Sequence, residues 1–292
     1  MSVRKAVVAG QFYEGSSRAC REQIESLLPA GPLTEDLPER IIAGIVPHAG
    51  WVFSGELAAR VLAAVAQQQP VDTFVIFGAV HSYGPDVAAV YDQGQWDTPL
   101  GPVAIDEELA AAILAQGDQR LTADRTRHNR EHSIEVQVPI IRRLFESARI
   151  VPIMAPPTAE APAVGRTVAH AVRQAGRSVV CLGSTDLTHY GPSYGFTPMG
   201  TGAEALRWAK QTNDRFFLDK VLALEPEHLV DIAHSYGSAC GAGAVAATVA
   251  AARELGARQA VLLGHTSSAE VVQEKFGRGS SDSVGYAGVV FG

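Results

Sequence analysis

Cysteine is scarce in this chain of 292 residues: Cys20, Cys181 and Cys240 are an odd set without CxxC spacing. That excludes a disulfide framework, fits a reducing compartment and leaves at least one thiol for other work. Basic residues are also few, 24 Lys and Arg against 31 Asp and Glu, for a net charge of -7 with no basic block. The electrostatic footprint of a nucleic-acid binder is therefore missing, and an anionic membrane is an equally poor partner. The most apolar long stretch, "ACGAGAVAATVAAA" (239–252), falls short of the ~20 residues that cross a bilayer. The start "MSVRKAVVAGQFYEG" has basic residues but no apolar region before Gly10, Gln11 and Glu14, so a cytoplasmic location is expected. There is no Walker loop, dinucleotide fingerprint, internal linker, repeat or low-complexity tract.

What is present is material for a large core, with 47% hydrophobic and 19% charged residues. Length alone allows one large domain or two smaller ones. Runs rich in valine and isoleucine recur at 41–46, 73–77, 86–91, 149–153, 178–182, 260–263 and 284–291. Several lack polar alternation, as strands buried on both faces do. Helical patterns lie at 17–28, 55–67, 106–116, 159–175, 202–222 and 241–255. This alternation predicts an α/β fold with a mostly parallel sheet covered by helices on both faces. Ser54 is expected to cap the helix at 55–67, and "EHSIEVQVPIIRRLF" (131–145) reads as a helix that Pro139 kinks or begins. "PAGPLTEDLPER" (29–40) reads as a polar loop.

In such folds ligands bind beyond the carboxyl ends of strands. His48 follows "IIAGIVP", His81 follows "TFVIFGAV", Asp186 and His189 follow "SVVCLGS", and His265 follows "AVLLG". Any one of these alone reads as a loop histidine bonded to a carbonyl; His48 and His81 together point to function. Asp186 and His189, three apart, would share one side of a helical turn, with His189 as acid or base and Asp186 fixing its tautomer. Asp186 as a simple turn cap is the alternative. Cys240 stands at an apparent helix start, where the dipole favours the thiolate, a nucleophile and soft metal ligand; a small buried residue packed on the sheet is the other reading. In "HNREHSIE" (128–135), Glu131 is placed to pair with a histidine, His132 to line a pocket and Ser133 to cap a helix. His128, His170, His228 and His234 read as structural or exposed, and His265 is left open.

"AGQFYEG", "VPHAGWVFSG", "GAVHSYG", "EHSIEVQVP", "STDLTHYG" and "CGAGA", in this order and spacing, resemble the Memo family over most of the chain. The resemblance implies one α/β domain spanning 1–292, similar in fold to class III extradiol ring-cleavage dioxygenases. It implies metal ligands at His48, His81 and Cys240, with Asp186 and His189 in the same pocket. A cysteine where those dioxygenases carry a carboxylate shifts preference toward copper(I), zinc or thiolate-tolerant iron and away from ring cleavage. Ala242 stands where an arginine often follows in the family. Two functions are in view: an iron- or copper-dependent redox enzyme acting on a small molecule or oxygen, or a binding protein whose pocket takes a peptide or a partner encoded alongside it. Trp51, Phe53, Tyr83 and Tyr190 would form an aromatic wall for either. Metal-assisted hydrolysis, with Asp186 or His189 as base, is a third reading.

Overall fold

The valine and isoleucine runs place their side chains alternately into two separate cores, which is why their hydropathy does not alternate. Val75 and Phe77 enter one core while Phe74 and Ile76 enter the other; Val179 and Cys181 are likewise opposed to Val180 and Leu182. The computed structural model describes residues 2–81 and 86–292. Its strands are β1 (Val3–Arg4), β2 (Ala43–Val46), β3 (Thr73–Gly78), β4 (Ala88–Val90), β5 (Gln95–Trp96), β6 (Val103–Ala104), β7 (Leu121–Ala123), β8 (Arg149–Met154), β9 (Val179–Ser184), β10 (His189–Tyr190), β11 (Ala260–Ser267) and β12 (Ser283–Phe291). Its α-helices are α1 (Ser17–Leu27), α2 (Trp51–Gln68), α3 (Glu107–Gln116), α4 (Val138–Leu144), α5 (Ala161–Ala175), α6 (Ala203–Trp208), α7 (Arg215–Leu222), α8 (Leu229–Tyr236), α9 (Ala242–Leu255) and α10 (Ser268–Phe276).

Among the described residues, nine strands form one mixed sheet. Strands β2, β9, β3 and β8 are parallel neighbours at its centre, flanked by antiparallel β12 on one side and β4 on the other. β11 and β10 pair with β12, and β7 with β4. Helices α1, α2 and α4 cover one face; α3, α5, α7, α8 and α9 cover the other. A second small sheet, β1, β5 and β6, was not foreseen. No helix among the described residues is long and apolar enough to cross a membrane.

The local expectations are met only in part. Helix α2 begins at Trp51 rather than 55, and Ser54 lies inside it, donating to the Ala49 carbonyl. Tertiary contacts extend it: the Trp51 N–H donates to the Phe12 carbonyl, and its indole N–H donates to Val136 O. Pro139 sits in the first turn of α4, where a missing N–H costs nothing, and a 3₁₀ turn (Glu135–Gln137) precedes it. Ser133 caps no helix; its N–H donates to Glu131. The helical stretch 202–222 is three pieces, with a π-helical turn (Ala209–Asp214) between α6 and α7.

His128 is wholly buried, its Nε2–H donating to the Ala89 carbonyl at 3.0 Å. Burial pushes its pKa down to about 3 despite that bond, with Arg4 adding to the effect. The unfolded ring titrates at about 6.5, so between these values the unfolded chain binds the extra proton. Stability is thus fully present above the unfolded value and lost as pH falls toward the folded one. This ring should contribute a slope of about 1.4 kcal/mol per pH unit in that window. Urea denaturation of the parent and His128→Asn at several acidic pH values checks it; parallel stability profiles would refute it.

Candidate metal centre

Because β2, β9 and β3 are parallel neighbours, the turns that follow them emerge at one edge of the sheet. These turns carry His48, Asp186 and His81. The turn before α9 packs against them because Gly241 has no side chain: a Cβ there would overlap the Ser184 carbonyl. Its N–H donates to Thr185 Oγ1 at 2.9 Å, and the Cys240 N–H donates to Asp186 O at 3.2 Å. These contacts set Cys240 Sγ 3.2 Å from His48 Nε2.

Each imidazole has a fixed outward bond. The Ser184 hydroxyl donates to the Ser133 carbonyl at 2.7 Å, so its oxygen accepts from His48 Nδ1 at 3.0 Å. That leaves the His48 Nε2 lone pair facing Cys240. His81 Nδ1 donates to Glu131 Oε1 at 3.0 Å, and the same carboxylate accepts the backbone N–H of His81 and of Ser133. The second nitrogen of His81 is left for a ligand. A carboxylate or hydroxyl behind each ring is the usual support of a metal-bound histidine. One donor atom each from His48, His81 and Cys240 lies within 4.8 Å of the others, a group that could hold a metal ion. His132 stacks on His81 at 4.8 Å and meets His48 edge-on at 5.4 Å; with His81 and Glu131 it forms an overlapping group of the same kind.

Electrostatics suit a cation. Burial, reinforced by His81 and His132, holds the His48 pKa well below the ordinary imidazole value, so its lone pair is free. Burial alone would raise Glu131, but the His81 ring and the N–H donors outweigh it, and the group remains a carboxylate. That carboxylate in turn raises His81 despite burial. Burial and then Asp186 push the Cys240 thiol up, so the thiolate expected from the helix dipole is not formed by α9 alone. A cation between the three donors would supply the positive charge that releases the proton. Two imidazoles and one thiol fit a thiophilic transition metal better than magnesium or calcium.

Several sequence expectations are redirected. Asp186 serves His48 rather than His189: its Oδ1 accepts the His48 N–H at 2.7 Å. No helical turn joins the pair; His189 opens β10 and donates Nδ1–H to the Leu187 carbonyl at 3.0 Å. His189 still lies within electrostatic reach of Asp186 and His48. Trp51, 1% exposed, stacks on Tyr13 in the core and forms no pocket wall. Tyr190 is fully buried, its hydroxyl donating to the Gly200 carbonyl. Tyr83 lies outside the described residues. The aromatic rings beside the site are instead Phe12, edge-on to His132 at 4.9 Å, and Tyr194, edge-on to His189 at 5.2 Å. Phe12 lies in the quoted "AGQFYEG" and Ser184 opens the quoted "STDLTHYG", although neither was singled out as a site residue. Beside Cys240, Ala242 borders a recess of about 470 Å³ with Asp231 and His234 at its wall.

Fold and site thus define an α/β protein with a His/Cys cluster at the carboxyl edge of its sheet. The Memo-like protein family matches residues 4–290, and the chain belongs to that family. A MEMO1 family protein of Thermococcus onnurineus is 37% identical over 297 residues, covering 99% of each chain. Another, of Pyrococcus abyssi, is 38% identical over 301 residues with the same coverage. In fold the chain is similar to an uncharacterized protein of Escherichia coli K12, with a TM-score of 0.54 at 13% identity, covering 87% of this chain and all of that one.

Proposed function

We propose that this protein is an iron- or copper-dependent oxidoreductase acting on a small molecule or oxygen, with His48, His81 and Cys240 as the metal ligands. The observation that carries this reading is the convergence of three donor atoms within 4.8 Å, two of them on imidazoles whose other nitrogen is hydrogen-bonded outward. The metal, when bound, supplies one-electron chemistry and an open coordination position. Ser184 and Glu131 hold the two rings in their ligating tautomers, and Asp186 fixes the His48 backbone. With Nδ1–H tied to Leu187 O, His189 keeps Nε2 for proton transfer. Phe12 and His132 pack beside the ligands.

Protein purified without chelator or affinity-tag metal is expected to carry near-stoichiometric iron or copper, or to take up Fe(II) or Cu(I) anaerobically, and then to consume oxygen with a reductant. A redox-inert metal held by four protein ligands would sink the proposal. Glu131→Gln is expected to keep the fold and weaken metal affinity by about 10–100-fold, because the His81 ring loses the anionic partner behind it. A competition titration with a chromophoric chelator reads this directly, and unchanged affinity would remove Glu131 from the site.

A peptide-binding function is the second reading. It is favoured by the exposed Tyr194 ring against His189 and by exposed Met199 nearby in the chain, an apolar rim that a peptide would cover. Retention of peptide by metal-free protein, lost on Tyr194→Ala, would put this reading first.

A further inference from the structure

The π-helical turn and His265 stand apart from the ligands. Asp214, the last residue of that turn, is 1% exposed. Its Oδ2 lies 3.0 Å from His265 Nε2, and its Oδ1 accepts the Thr188 backbone N–H at 3.0 Å. Asn213, also buried, donates to Thr188 Oγ1 at 3.0 Å and to the Tyr236 carbonyl at 2.9 Å. Two consecutive residues of one turn therefore hold both the main chain and the side chain of Thr188. π-Helical turns interrupt regular winding and are common at functional sites.

The Thr188 N–H belongs to the same peptide unit as the Leu187 carbonyl, and that carbonyl accepts the His189 Nδ1–H. From these contacts we infer that Asp214 and His265 are positioning residues for His189, acting through the Leu187–Thr188 peptide. The chain of bonds runs from His265 Nε2–H to the Asp214 carboxylate, from the Thr188 N–H into that carboxylate, and from His189 Nδ1–H into the Leu187 oxygen. A carboxylate on the N–H of a peptide polarises its C=O and makes it a stronger acceptor. The carbonyl then favours the Nδ1–H tautomer of His189 and leaves Nε2 unprotonated. Surrounding contacts hold the peptide plane: Leu187 N–H donates to Gly285 O at 2.8 Å and Gly285 N–H to Thr188 O at 3.1 Å. Gly285 is required there, since a Cβ would overlap the Asp214 carboxylate. The bond chain stands on geometry alone; the use of His189 for proton transfer rests on the function proposed above.

The test is the tautomer of His189, read from the ¹⁵N signals of its ring nitrogens in metal-free protein at alkaline pH, in the range where those signals no longer change with pH. Asp214→Asn keeps the shape and the acceptor for Thr188 but removes the charge. It is expected to raise the ratio of Nε2–H to Nδ1–H forms of His189 roughly fivefold, with the His48 ring signals, set by Ser184, unmoved. His265→Gln, which retains a donor to Asp214, should preserve the parent signature. An unchanged His189 tautomer ratio in Asp214→Asn would overturn the inference and leave Asp214 as a packing residue. Should that variant not fold, His265→Leu, which frees the Asp214 carboxylate from the donor that fixes it, should move the His189 tautomer ratio away from the parent's, and an unchanged ratio would overturn the inference equally. No metal or substrate enters the measurement, so its failure is distinct from failure of the metal titration.

Discussion

Replacing Arg4 with alanine is expected to lower stability by about 3–5 kcal/mol, the cost of leaving one member of a buried ion pair uncompensated. Arg4 and Glu135 approach to 2.7 Å with side chains only 2% exposed each, so solvent screening does little here. The guanidinium also donates to the His128 carbonyl at 2.8 Å and the Glu131 carbonyl at 2.7 Å, and lies 4.0 Å over the Trp96 ring. Glu135 accepts further bonds from the Val7 and Val8 N–H groups and the Tyr13 hydroxyl. Arg4 thereby ties the first strand to the segment that carries Glu131 and His132, and its loss should loosen His81 as well. Arg4→Lys keeps the charge but not the fork that reaches Glu135 and the His128 and Glu131 carbonyls together, and should recover only part of the loss. Urea denaturation with an unchanged slope gives the comparison. A loss below about 1 kcal/mol for the alanine variant, the range of an exposed pair, would show that the network is not held as described.

Cys240→Ser should have the largest effect on metal binding, exceeding the 10–100-fold loss typical of a residue one bond removed from the metal. A serine hydroxyl is harder, and far less acidic, than a thiol, so the loss should be greatest for copper(I) and smaller for a harder ion. The fold should tolerate the change, because the turn is held by backbone contacts of Cys240 and Gly241 and the serine oxygen is smaller than sulfur. Anaerobic competition titrations of Cu(I) against a chelator, with loss of the thiolate-to-metal absorption band in the variant, test both parts. Equal affinity in parent and variant would exclude Cys240 from the ligand set and point to the overlapping group of His81, Glu131 and His132.

Much of this architecture is legible in the sequence. The runs at 73–77, 149–153 and 178–182 became central strands because valine, isoleucine and phenylalanine on both faces have no solvent side to satisfy. The meeting of His48 and His81 was legible because each follows such a run, and parallel strands deliver their following turns to one edge. Cys240 was ambiguous from residues alone, since a glycine-alanine helix start suits either a packed thiol or a ligand. The small sheet of β1, β5 and β6 escaped notice because two-residue strands leave no periodic signal. Trp51 and Tyr190 misled because an aromatic residue beside a ligand in sequence says nothing about which way its ring turns.

The sequence by itself determined the kinds of elements, their order, the delivery of histidine to strand ends, and membership of the Memo-like family. Only the tertiary structure decided which atoms meet. Arg4 and Glu135 are 131 positions apart, Cys240 and His48 are 192 apart, and Asp214 and His265 are 51 apart. Such pairings depend on where the backbone of several elements runs, and local hydropathy carries no record of that path. The same holds for the tautomers. A histidine is the same letter whichever nitrogen holds the proton, and the bond from Ser184 or Glu131 selects which lone pair faces the centre.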